Sequence, residues 1–264
     1  MSESSIARTF EALRGRGRTA LIPYLTAGFP DLRASEEALR AADDVADVIE
    51  VGVPFSDPLA DGPTIQRSTF QALRQGMTLA GTLELIARCR LRRPVVVFSY
   101  LNPILRYGLD HFLQDAGDLG VAGLLLTDLP AGSDPGVEEA VQASPLDLIR
   151  LIAPTTRPER LRAAVDGAEG FVYLVARLGV TGARDALAAD LADSVGRVRE
   201  ATALPVAVGF GISSAEQAAA VGRLADGVVV GSALVNVLGA DGVAAARRFL
   251  GELRAGLDLS PAAA

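Results

Sequence analysis

The sequence contains no lysine; all 25 of its basic residues are arginine. That absence excludes a lysine Schiff base, a Walker-type phosphate lysine and a covalently held pyridoxal cofactor on this chain. There is one cysteine, Cys89, so neither an intrachain disulfide nor a paired-cysteine metal site forms. There is one histidine, His111, which excludes a multi-histidine metal site. No apolar run reaches the roughly 18 residues that a membrane span needs, although the mean hydropathy is +0.31. The opening segment MSESSIARTFEALRGRGR is polar and has no apolar signal core, so the expected location is cytoplasmic. The formal net charge is −7, and so acidic a surface repels phosphate backbones, which makes nucleic acid a poor partner. An enzyme built from this inventory must lean on carboxylates and backbone dipoles.

Hydrophobic residues, in contrast, make up 50% of the 264 positions, enough for one large core or two small ones. Eight short runs rich in Val, Ile and Leu recur along the chain. They are TALIPYLTAG from Thr19, VADVIEVGV from Val45, PVVVFSYL from Pro94 and GLLLTDLP from Gly123. LIRLIAP from Leu148, GFVYLVA from Gly170, PVAVGFG from Pro205 and GVVVGSA from Gly227 follow. Most are nearly continuous rather than alternating, as in strands buried on both faces of a parallel sheet. The intervening segments carry helical spacing, with Ile6, Phe10 and Leu13 on one face, then Leu83, Ile86 and Leu91, then Phe249, Leu250, Leu253 and Leu257. Cys89 falls on such a helix and reads as packing, and His111 reads as a surface or capping residue.

Eight strand–helix units in about 250 residues is the arithmetic of an α/β (β/α)8 TIM barrel. The expectation is one barrel domain over 1–264, with an extra N-terminal helix. The long interval between the second and third runs predicts an extra helix, one starting near Pro63 and one near Leu79. A doubly wound sheet is the alternative.

Barrel active sites lie at the C-terminal ends of the strands. The exits here are Thr26–Gly28, residues 52–63, Ser99–Asn102, Thr127–Asp128, Arg177–Gly182, Gly209–Ser213 and Gly231–Ser232. Glycine-rich exits after the last two strands let backbone amides approach a phosphate, and a short helix N-terminus adds a favourable dipole. The alternative is that these glycines only make tight turns. Glu50 sits inside the apolar run VIEVGV, where an unpaired charge is expensive. Two readings stay open: an ion pair with an arginine in the barrel, or a carboxyl in a partly dry pocket with its pKa raised. Asp61 ends a proline-rich loop, either as a helix N-cap or as a second functional carboxyl. Asp57 reads as structural. Asp128 reads as a residue of either the pocket wall or the scaffold.

The stretch IEVGVPFSDPLADGPTIQ resembles the signature of the tryptophan synthase α chain family. The resemblance continues in order through PYLTAGFP, SYLNPILRYG, LLLTDLP, LIAPTT, GVTGAR, PVAVGFGIS and DGVVVGSA, across nearly the whole chain. It implies a lyase that cleaves indole-3-glycerol phosphate to indole and glyceraldehyde 3-phosphate. It implies no cofactor on this chain. Indole passes to a β chain that carries pyridoxal phosphate, in an α2β2 heterotetramer. By motif position, Glu50 and Asp61 match the two catalytic carboxylates. Gly182, Gly211, Gly231 and Ser232 match the phosphate-binding positions. Tyr100, Asn102 and Tyr173 match pocket residues, and Thr181 matches a loop threonine that orients the aspartate. Three positions depart from the family: Ala176 stands where serine is frequent, Leu101 where an aromatic is frequent, and Tyr24 where phenylalanine is also common. Another phosphosugar barrel, an inactive α-like chain and a stand-alone indole-releasing lyase are the competing readings.

Overall fold

Each of the eight apolar runs forms a strand. They are β1 (Ala20–Thr26), β2 (Ile49–Gly52), β3 (Val95–Ser99), β4 (Gly123–Leu126), β5 (Asp147–Ile152), β6 (Val172–Val175), β7 (Val206–Gly209) and β8 (Gly227–Val230). Each pairs in parallel with its sequence neighbours, and β8 pairs with β1 to close the barrel. This is a computed structural model; it describes residues 4–153, 155–176, 184–209 and 211–259, with backbone alone at 184–189. Continuous apolarity has its expected cause, since all residues of β1, β2, β4, β7 and β8 are buried.

The helices are α1 (Ser5–Arg14), α2 (Leu32–Asp43), α3 (Pro63–Arg74), α4 (Leu79–Cys89), α5 (Leu101–Tyr107) and α6 (Leu109–Asp118). They continue with α7 (Pro135–Gln142), α8 (Pro158–Ala164), α9 (Arg184–Ala201), α10 (Ala215–Gly222) and α11 (Ser232–Asp258). Local chemistry sets their starts. Ser4, Asp31, Thr78, Asp134 and Ser214 accept the first free N–H groups of α1, α2, α4, α7 and α10. Pro63 opens α3 at the first turn, as its spacing predicts. Both α3 and α4 lie between β2 and β3, so the expected extra helix is present. Leu91 differs from expectation. Arg90 takes the left-handed conformation at φ 48° and ends α4, so Leu91 packs on the core from beyond the helix. α11 is bent where Gly242 adopts φ 78°. Among the described residues no helix is long and apolar enough to cross a membrane.

Two apolar clusters divide the work. The larger lies between strands and outer helices. The smaller fills the barrel's interior near its base and includes Ile22, Val96, Leu125, Ile149 and Phe171. α1 caps it with Ile6, Phe10 and Leu13; the Phe10 and Phe171 rings stand 5.6 Å apart. Gly123 admits this plug, because a Cβ there would stand 3.0 Å from the Ile6 side chain. This plug packs the barrel's interior at the N-terminal ends of the strands, the end opposite the one where barrel active sites lie.

Candidate active site

Glu50 is the third-last residue of β2, in register with Tyr24 of β1 and Val96 of β3. It is fully buried, and neither carboxyl oxygen has a hydrogen-bond partner among the described residues. Burial therefore pushes its pKa up to about 8. Near neutral pH the side chain is mostly the neutral acid, holding a proton it can give away. Among the described residues no arginine pairs with Glu50. The buried arginine of the strands, Arg150 on β5, pairs with Glu138 of α7 and donates to the carbonyls of Leu129 and Asp166. Glu138 in turn accepts the N–H of Gly132, so this network shapes the loop after β4.

Two phenols face the same interior, Tyr24 buried and Tyr173 partly buried. Burial, with Glu50's charge added, holds the Tyr173 hydroxyl well above the usual range. Tyr24 is raised by burial first, then by the charge of Asp61, and further by that of Glu50. Its ring also packs edge-on against Phe98, with centroids 5.2 Å apart. Both hydroxyls need missing side chains. A Cβ on Gly52 would stand 2.1 Å from the Tyr24 oxygen, and one on Gly209 would stand 2.2 Å from the Tyr173 oxygen. Glu50 and Gly52 share a strand face by the period of two. A glycine two residues from a buried acid was the one sequence signal for a bulky wall there, and pattern reading passed over it.

Asp61 does not cap a helix. The N-cap of α3 is Gly62, and no side chain makes the cap bond. Instead Asp61 is partly buried and hydrogen-bonded to the Tyr100 phenol. Burial raises its pKa to about 6, and the Tyr100 bond holds it below where burial alone would take it. The Tyr100 oxygen also accepts the Ala60 N–H at 2.9 Å, and its ring lies 5.1 Å from that of Phe55. One phenol at the β3 exit thus fixes the loop after β2. A second tie runs beneath it, where the Thr26 and Ser68 hydroxyls meet at 2.8 Å and join β1 to α3. Replacing Tyr100 with Phe removes a stabiliser of the carboxylate, so the Asp61 pKa rises above about 6. A 13C NMR titration of that carboxyl measures it; an unmoved midpoint would show that the phenol does not set the charge.

Asp128 is exposed and accepts the Leu101 N–H at 2.8 Å, so it pins the start of α5. Its place is the scaffold rather than the pocket wall. Asn102 is exposed on α5 and lines a groove with Pro54, Phe55, Ser56 and Arg106. His111 is exposed in the first turn of α6, and Asp57 accepts the neighbouring Ser56 hydroxyl. At the other rim, Gly211 takes φ 76° just after β7. Gly231 ends β8 as the N-cap of α11 without a side-chain cap bond, and Ser232 opens that helix. No side chain caps its first N–H groups, and uncapped N–H groups at a helix start are the kind that bind anions. Gly231 adjoins Tyr24, since a Cβ there would stand 3.5 Å from the Tyr24 Cβ. Thr181 and Gly182 lie outside the described residues. Among the described residues no group of three or more His, Cys, Asp or Glu side chains is placed to hold a metal ion.

The geometry therefore offers a neutral acid deep in the barrel, a second carboxyl on an adjoining loop, aromatic walls and an amide-lined rim. Known proteins share this frame. The profile of the family described as "Tryptophan synthase alpha chain" matches residues 10–253. The tryptophan synthase alpha chain of Gloeobacter violaceus is 47% identical over 256 residues, covering 96% of this chain and 92% of that one. That of Synechococcus elongatus is 45% identical over 262 residues, covering 98% of each. A solved tryptophan synthase of Mycobacterium tuberculosis superposes with a TM-score of 0.89 at 43% identity, covering 97% of this chain and 99% of that chain. The subunit alpha of Legionella pneumophila does so with a TM-score of 0.89 at 34% identity, covering 98% and 100%. The chain belongs to the tryptophan synthase alpha chain family, the carbon–carbon lyases of tryptophan biosynthesis.

Proposed function

We propose that the chain cleaves indole-3-glycerol phosphate to indole and D-glyceraldehyde 3-phosphate by carboxylate acid–base chemistry. The observation that carries the reading is Glu50, a fully buried acid without a hydrogen-bond partner among the described residues, whose pKa is raised to about 8. The bond to break joins indole C3 to the first side-chain carbon. Indole leaves poorly until C3 is protonated. Glu50 delivers that proton and takes one from the adjacent side-chain hydroxyl. The C–C bond then breaks, its electrons return to the ring, and the hydroxyl carbon becomes the aldehyde. Asp61, as carboxylate, accepts the indole N–H and stabilises the positive charge that develops on the ring. Each such acid–base contribution is worth on the order of 10²–10⁴ in rate.

Tyr100 holds Asp61 in place, and Tyr24, Phe98 and Tyr173 supply the wall for a flat bicyclic ring. Gly211, Gly231 and Ser232 hold the phosphate through amides and a hydroxyl, with Gly182 joining them and Thr181 steering the aspartate. Binding the distant phosphate positions the reacting carbon. Asn102 sits at the rim where the pocket opens.

The same rim docks a β chain in an α2β2 assembly, in the cytoplasm. Pyridoxal phosphate belongs to that partner; this chain has no lysine with which to hold it. The test is indole release from indole-3-glycerol phosphate by the full chain, alone and with a β chain. We expect slow release alone and a rise of roughly tenfold or more with the partner, as loops close and exclude water. Equal rates would remove the coupling. No release in either case would leave an α-like chain without activity, and turnover of an aminodeoxyribulose phosphate would favour an isomerase.

A further inference from the structure

The bonds of the Tyr100 phenol can be counted atom by atom. A phenolic oxygen has one proton to donate and two lone pairs with which to accept. One lone pair takes the Ala60 N–H at 2.9 Å. Asp61 is hydrogen-bonded to the same phenol, and a carboxylate only accepts, so the phenol's proton goes there. One lone pair remains.

Thr127 follows β4. Its N–H donates to the Ser99 carbonyl at 3.0 Å, which continues the β3–β4 ladder past Leu126 and sets Thr127 beside Tyr100. Its Oγ1 is buried, yet makes no full hydrogen bond to any described residue. A buried hydroxyl without an acceptor costs stability and is uncommon in folded proteins. The polar group it acts on is the Tyr100 oxygen. Burial and then the Asp61 charge push the phenol up to about 12, whereas the Ala60 N–H and the Thr127 hydroxyl draw it down, as donors to that oxygen do. The hydroxyl thus acts on the phenol without the alignment of a full bond. The next side chain, Asp128, is exposed and occupied with the Leu101 N–H.

We propose that Thr127 is a positioning residue for Asp61: in the working site its hydroxyl donates to the second lone pair of the Tyr100 oxygen, and so leaves the phenol's own proton one direction, toward the carboxylate. Hydrogen bonds in a chain polarise one another, and a donor behind the phenol strengthens the phenol's bond to Asp61. That favours the ionised form of Asp61, the form that balances positive charge on the ring. Only this last consequence rests on the reaction proposed above. The other titratable groups close by are Tyr24 of β1 and Glu50 of β2, both buried; Asp61 and Glu50 each act on Tyr24.

The experiment is a 13C NMR titration of the Asp61 carboxyl in the substrate-free full chain, set out as a double-mutant cycle of Thr127→Val with Tyr100→Phe. Val keeps the branched shape and removes the hydroxyl. The Asp61 midpoint should rise by roughly half a pH unit in Thr127→Val. Thr127→Ala, with less bulk, should reproduce the rise, and Thr127→Ser should restore the parent value. Adding Thr127→Val to Tyr100→Phe should give no further rise. In kinetics, the acid limb of the kcat/KM profile for indole release should move up with the Asp61 midpoint. A midpoint unmoved by Thr127→Val and Thr127→Ala overturns the proposal. So does one that moves equally in the Tyr100→Phe chain, since packing alone acts without the phenol. A shifted midpoint in a chain that releases no indole keeps the positioning role and removes the reaction.

Discussion

Replacing Glu50 with Gln is expected to cut the proposed indole release by about 10²–10⁴ and, at alkaline pH, to make the barrel more stable. The two effects share one cause. The folded acid titrates at about 8, whereas an unfolded glutamate titrates near 4.3. Between those values the folded state binds more protons than the unfolded state, so stability falls as pH rises. Below about pH 4 the penalty is absent, and above about pH 8 it is complete. Its size is on the order of 3–5 kcal/mol, taking about 1.4 kcal/mol per pKa unit. Gln cannot ionise and escapes the penalty. Urea unfolding at pH 6 and pH 9 measures the difference. The variant should lose less stability between the two than the parent chain, while turnover drops by about 10²–10⁴. Parallel pH dependence in both proteins would show that Glu50 is not a buried neutral acid. Retained turnover would remove it from the proton transfers.

Asp61→Asn separates charge from shape. The amide oxygen of Asn still accepts from the Tyr100 hydroxyl, so the loop keeps its anchor. The α3 N-cap is Gly62, and no cap bond is lost. Loss of a genuine cap would cost roughly 1 kcal/mol; here stability should not fall, and above about pH 6 it should rise, because Asn escapes the cost of holding a partly buried carboxylate whose pKa burial raises to about 6. Turnover should still fall by about 10²–10³, because the neutral side chain no longer balances positive charge on the ring. Steady-state kinetics with parallel denaturation curves read both quantities. A rise in KM with turnover intact would reassign Asp61 to binding. A matched loss of stability would return it to the helix end.

Periodicity and composition exposed the strands well, because each strand's apolarity is continuous and local. Pro63 and Leu79 marked α3 and α4 for similar reasons: starts are written in one or two residues. Glu50 was legible because a lone acid in an apolar run is conspicuous. Long-range partners were not legible. Asp61 near Pro63 looks equally like a cap or a functional group until Tyr100, 39 positions away in sequence by its numbering, is seen to hold it. Asp128 read as a pocket residue or a scaffold residue for the same reason, since its partner Leu101 comes from another strand exit.

The two glycine seats restrict how this pocket can drift. A methyl at position 52 meets the Tyr24 ring itself, whose Cζ and Cε2 would lie 2.5 and 2.7 Å away, so trimming the phenol to Phe gives no relief. At position 209 the Tyr173 Cζ would lie 2.7 Å away. A side chain gained at either glycine requires the facing tyrosine to move or to shrink. Positions 24 and 52, and likewise 173 and 209, are therefore coupled: a side chain gained at either glycine displaces the facing tyrosine ring and reshapes the aromatic lining.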